Sequence, residues 1–208
     1  MQLREALDQI AEIRLRMAES ELFRGYRALP VALSGVFALV AAIVQPILLV
    51  NPAQNPAAYV ALWGIVAALS VAAAGSTMFL RDHFAGSSHT RSITWLAIRQ
   101  FVPCLIAGAG ITLVVLRHAV EAAWLLPGLW AVLFSQGIFA SSRLLPKPIF
   151  AVGAFYLTAG LLTLLFGNES YAFSPWAMAL TFGIGQLSTA AVLYWTLERR
   201  HAEIPEID

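Results

Sequence analysis

The sequence predicts an all-α fold: a polytopic membrane helix bundle of six transmembrane helices, preceded by an N-terminal cytoplasmic amphipathic helix. Three observations carry that prediction. Hydrophobic residues make up 59% of the chain and charged residues only 12%, where soluble domains carry about 25% charge. Mean hydropathy is +0.73. Charge-free runs of about 20 residues recur, which at about 1.5 Å rise per residue is the length that crosses about 30 Å of hydrocarbon. A water-soluble monomer of 208 residues needs a charged surface, and 13 basic and 12 acidic side chains do not supply one. The composition thus excludes an ordinary cytosolic enzyme, a nucleic-acid-binding domain, a disordered chain and a secreted disulfide scaffold. Helices rather than barrel strands follow from the unbroken apolar runs, because barrel strands alternate apolar and polar positions.

The chain divides into a helix over residues 1–28, a membrane domain over 29–197 and a short tail over 198–208. Charge interrupts residues 1–29 throughout, so they do not read as a cleavable signal peptide. Residues 1–27 instead favour an amphipathic helix, with Leu3, Leu7, Ile10, Ile13 and Met17 at helical spacing and Glu12 placed to pair with Arg16. Five arginines there are balanced by five acids, which weakens any attraction to anionic lipid. Three roles are open to this helix: folding against the cytoplasmic loops, pairing with a cytoplasmic protein partner, or lying on the inner leaflet.

The six spans are expected at Pro30–Val50, Ala58–Leu80, Leu96–Leu116, Ala122–Ser142, Pro148–Phe166 and Phe173–Thr196. Between the second and third, Arg81–Thr94 reads as a Gly/Ser-containing solvated loop. Pro103 is the best candidate for a kink, since proline frees a carbonyl one turn earlier. With the N-terminus placed inside, 12 of the 13 basic residues fall on the cytoplasmic side and only Arg117 on the other. The positive-inside rule therefore predicts a multi-pass protein of a bacterial inner (plasma) membrane with both termini cytoplasmic. Trp63, Trp124, Trp130 and Trp176 fall near outer span ends, where amphipathic rings favour the headgroup zone, a placement that for each ring stands beside a plain packing role.

Catalytic groups are sparse. No Asp, Glu, Lys or His lies in the middle of an expected span, so a carboxylate proton relay has no members. His83, His89, His118 and His201 all fall in loops or the tail, leaving a haem buried in the bundle without histidine ligands. Asp82, His83 and His89 share one loop but lack the four-ligand pattern of a zinc site, so no metal and no cofactor is expected. Cys104 is the only cysteine and forms no intrachain disulfide.

The constellation with functional content is uncharged. Counting about 12 or 13 residues inward from the outer ends of spans two, four and six reaches Ser70, Gln136 and Gln186, at one depth near the bilayer midplane. Ser135, Ser188 and Thr189 adjoin the two glutamines. Such groups either hold helices together by hydrogen bonds or line a path for a small polar molecule. Small residues spaced by four mark close helix approach: Ser34, Ala38 and Ala42; Gly64, Ala68, Ala72 and Ser76; Cys104, Gly108 and Thr112; Ala177, Thr181, Gly185 and Thr189. Six spans can leave one such stripe free to meet a second copy of the chain. The sequence thus points to an integral membrane protein without catalytic groups, acting as a structural, sensory or accessory subunit, with a facilitator for a small uncharged solute as the alternative. Its expected partners are the lipid bilayer, a second copy through small-residue faces and a cytoplasmic protein through residues 1–27, with no nucleic acid.

Overall fold

A computed structural model describes residues 28–85, 88–142 and 145–199. The helix expected over residues 1–28 and the tail over 198–208 fall almost entirely outside the described residues. So do the side chains of Asp82, His83 and His89. Within them the chain is helical, with no strand.

The elements are α1 (Ala28–Leu48), α2 (Pro56–Ala85), α3 (Ser88–His118), a 3-10 turn (Val120–Leu125) running into α4 (Leu126–Ser141), α5 (Ile149–Phe166) and a short α6 (Glu169–Ala172). The last span follows as α7 (Pro175–Met178), a π-helical segment (Ala179–Ile184), α8 (Gly185–Leu193) and a second π-helical segment (Tyr194–Glu198). Among the described residues, six helices are long and apolar enough to cross a membrane: Ala28–Leu48, Pro56–Ser76, Arg99–His118, Val120–Ser141, Ile149–Phe166 and Pro175–Thr196. The six-span reading therefore holds, with shifted boundaries. The main correction concerns Arg81–Thr94, read as a loop: α2 runs on to Ala85 and α3 begins at Ser88, so all of it except residues 86 and 87 is described as helix. The only glycine there is Gly86, no proline intervenes, and the flanking residues carry a helix outward past the apolar stretches. Pro103 does not interrupt α3.

Helices in lipid gain nothing from hiding apolar surface, so close backbone approach decides which ones pack. The neighbour order is α2, α1, last span, α5, α4, α3. The tightest approach joins α4 to α5. A Cβ added at Gly160 would lie 2.9 Å from the Gly128 carbonyl oxygen and 2.9 Å from the Val132 amide nitrogen. Phe101 of α3 covers Gly137, and Tyr156 of α5 lies across Gly185. On the other side, Gly35 of α1 faces Leu187 and the Gly183 carbonyl of the last span. The predicted stripes Ser34/Ala38/Ala42 and Ala177/Thr181/Gly185 are buried here, inside the chain. The stripe of α2 is not: Gly64, Ala68, Ala72 and Ser76 are all exposed, with open space beside Gly64. The peripheral position of α3 is as marked, since no residue of Arg99–His118 is buried, against nine of the 22 residues of Val120–Ser141.

Two apolar clusters fill the interior. Toward the end of the bundle that carries residues 49–55 and 167–174, here the far end, Ala38, Ala42, Tyr59, Trp63, Leu126, Phe173 and Met178 pack together. Toward the near end, Val31, Ala131, Ile138, Ile149, Val152, Tyr156 and Leu193 do so. Edge-to-face rings tie α3, α4 and the last span, with Phe101–Phe134 centroids 5.0 Å apart and Phe134–Phe182 centroids 5.7 Å apart.

Candidate functional site

A span satisfies its backbone within itself, so the polar side chains report where other bonds are needed. The most buried amide side chain among the described residues is Gln45 on α1, only 1% exposed. Its Nε2 donates to the Phe173 carbonyl at 2.7 Å, and its Oε1 accepts from Trp63 Nε1 at 3.0 Å. A carbonyl on one side and an indole N–H on the other fix the amide orientation, because only one assignment gives both bonds. Side chains tilt toward their helix N-terminus, which aims the Trp63 indole back toward the far end where Gln45 sits. Beside them the Tyr59 hydroxyl approaches the Ala172 carbonyl at 3.4 Å, and its ring meets Phe173 edge-on at 4.9 Å. This clasp joins α1, α2 and the connection into the last span. Sequence reasoning passed over Gln45 and left Trp63 open between the headgroup zone and a packing role; in the structure Trp63 is a core residue, 4% exposed. The available signal was a lone amide next to Pro46 in an otherwise apolar span.

The expected midplane layer separates into different environments. Ser70 is half-buried and its hydroxyl donates to the Val66 carbonyl at 2.8 Å. Ser135 is fully buried, donates to the Val132 carbonyl at 2.6 Å and accepts a long bond of 3.4 Å from Gln136 Nε2. Gln136 itself is exposed on the outside of α4. Gln186 is half-buried and makes no side-chain hydrogen bond among the described residues. Ser188 is exposed, while Thr189 is half-buried and donates to the Gly185 carbonyl at 2.8 Å. Of the six, the structure brings only Ser135 and Gln136 together. The helices that carry Ser70, Gln136 and Gln186 are not principal neighbours: α2 packs on α1, α4 on α3 and α5, and α8 on α1 and α5.

Hydroxyls in the spans mostly fold back onto their own helix. Thr112, Thr163 and Thr196 donate to the Gly108, Ala159 and Val192 carbonyls. Thr112 also accepts from Trp130 Nε1 at 2.8 Å, a tie between α3 and α4. Among the described residues, three buried side-chain polar atoms lack a partner: Gln100 Oε1, Ser141 Oγ and the Tyr156 hydroxyl. The two buried threonines also differ, since Thr163 bonds its own helix and Thr181 bonds nothing among the described residues.

No protein-family model matches this chain, and no curated protein or solved structure gives a significant match. The chemistry must be read from its own residues.

Proposed function

We propose that the chain is a structural or accessory subunit of a bacterial inner membrane, without an enzymatic centre, that associates with a second copy of itself inside the bilayer. The observation that carries this reading is Gln136. Its neighbours Ser135, Gly137 and Ile138 are buried, while Gln136 lies on the side of α4 opposite the core-facing Ala131 and Ile138. An amide at mid-depth on a lipid-facing surface is costly when unpaired, and its only side-chain bond among the described residues is the 3.4 Å contact to Ser135. Across a two-fold axis, Gln136 of one copy both donates to and accepts from Gln136 of the next. Residues 1–27 supply the contact to a cytoplasmic protein in this reading, with both termini on the cytoplasmic side.

The test is co-purification of two differently tagged copies from one membrane. Wild-type copies are expected to co-purify, Gln136→Leu to lose the association and Gln136→Asn to retain part of it. Association unaffected by Gln136→Leu, or no association of wild-type copies, overturns the proposal.

A further inference from the structure

We infer that the groove between α5 and the last span binds an uncharged, carbonyl-bearing amphiphile of the isoprenoid-quinone class. The groove encloses about 360 Å³ on the far half of the bundle. Phe155, Ala159 and Phe166 form one wall, Leu180 and Thr181 the other, and Tyr171 stands at the mouth. Phe155 to Phe166 covers about 16 Å of helix, roughly one leaflet of a hydrocarbon layer about 30 Å thick. None of the lining residues is charged. The ligand is therefore neutral and reaches the site through the lipid.

Thr181 identifies the polar end. The residue is 93% buried by its 7% exposure, it lines the groove, and its hydroxyl has no partner among the described residues. It lies in the π-helical segment Ala179–Ile184, where the widened turn departs from the ordinary hydrogen-bond ladder. Thr181 stands six residues beyond Pro175, about 9 Å below the start of the span. Phospholipid ester carbonyls lie at the interface and do not reach that depth. A quinone head does: it is flat enough to lie against Phe155, its carbonyl accepts the Thr181 hydroxyl, and its tail leaves through the open side into lipid.

The test uses the purified full chain in nanodiscs of quinone-free phosphatidylcholine, titrated with 2-decyl-1,4-benzoquinone and followed by tryptophan quenching; Trp176 adjoins the groove residue Ala177. Thr181→Val removes only the hydroxyl and is expected to weaken binding about tenfold, while Thr181→Ser restores it. Ala159→Leu fills the hollow and is expected to abolish saturable quenching. Decylbenzene, which has the tail and ring but no carbonyl, is expected not to compete. Identical titrations for wild type, Thr181→Val and Thr181→Ser overturn the inference, even where Ala159→Leu does not fold. So does competition by decylbenzene, or a phospholipid retained by wild type and lost from Ala159→Leu.

Discussion

Replacing Gln45 by Leu keeps the volume of the side chain and removes both of its bonds, so the cost falls on the groups left behind. The Trp63 N–H and the Phe173 carbonyl, bonded at 3.0 Å and 2.7 Å, lose their partner in a region where Trp63 and Phe173 are 4% and 3% exposed. Two interhelical bonds at the membrane-protein average of about 0.6 kcal/mol set a floor of about 1 kcal/mol. Two orphaned buried groups at about 1–3 kcal/mol each set a ceiling of about 6 kcal/mol. We expect about 2 kcal/mol for Gln45→Leu, read as a shift in reversible unfolding in mixed micelles as the fraction of denaturing detergent rises.

A double-mutant cycle isolates the Gln45–Trp63 bond. Trp63→Phe removes the N–H and leaves a space, and that space appears in both legs of the cycle and cancels. The expected coupling is about 1 kcal/mol. Tyr59→Phe is the internal control: its bond to Ala172 is long at 3.4 Å, so its loss is expected to change stability by less than about 0.5 kcal/mol. A Gln45→Leu protein as stable as wild type, or zero coupling to Trp63, refutes the assignment of Gln45 as the tie between α1, α2 and the last span.

Tyr156→Phe deletes a hydroxyl that is buried without a partner among the described residues, so the same unfolding assay is expected to show a neutral change or a gain of up to about 1 kcal/mol. Gly160→Ala sets a methyl group 2.9 Å from backbone atoms of α4, which cannot move aside as a side-chain tip can; a loss of about 1–3 kcal/mol is expected. Gly64→Ala, where nothing lies within 4 Å, is the matched control and is expected to leave stability unchanged or slightly raised by its better helix propensity. If Gln186, whose amide is unpaired among the described residues, lines a solute path, Gln186→Leu will abolish proteoliposome flux of a small neutral solute such as glycerol at unchanged folding; flux no greater than that of empty liposomes removes the facilitator alternative.

Span number was legible because it depends on one quantity, the length of charge-free chain, and that quantity is unaffected by how the helices meet. Span ends were less legible. Residues 81–85 and 88–94 continue as helix because nothing in them terminates one, and polarity alone says where lipid stops, not where the helix stops. The polar layer shows the same limit at the level of the site. Depth follows from counting residues, since each adds about 1.5 Å, but direction turns by about 100° per residue. One step from Ser135 to Gln136 passes from full burial to exposure. Equal depth for Ser70, Gln136 and Gln186 thus carried no information about whether they face one another, and α2, α4 and α8 are not packed side by side. Gln45 was overlooked for the converse reason: its importance lies in partners 18 and 128 residues away, which no local pattern reveals.

Back-bonding offers a criterion that sequence counting lacks. In lipid, a serine or threonine hydroxyl has a partner at hand in the carbonyl three or four residues earlier, and Ser34, Ser70, Thr112, Ser135, Thr163 and Thr189 all take it. An amide side chain reaches its own helix poorly, as the long 3.4 Å bond from Gln136 to Ser135 shows, and finds short bonds on another element, as Gln45 does. Polar groups that do neither are the places where the chain by itself leaves an interaction unmade. Gln136 is exposed on α4, where the proposed second copy would meet it, and Thr181 lines the groove, where the proposed amphiphile would. These two positions thus separate association from ligand binding, and Gln136→Leu and Thr181→Val are expected to impair one each without the other. Loss of both properties from either single substitution would mean that the groove and the outer face of α4 are coupled through α5, the helix that packs against both α4 and the last span.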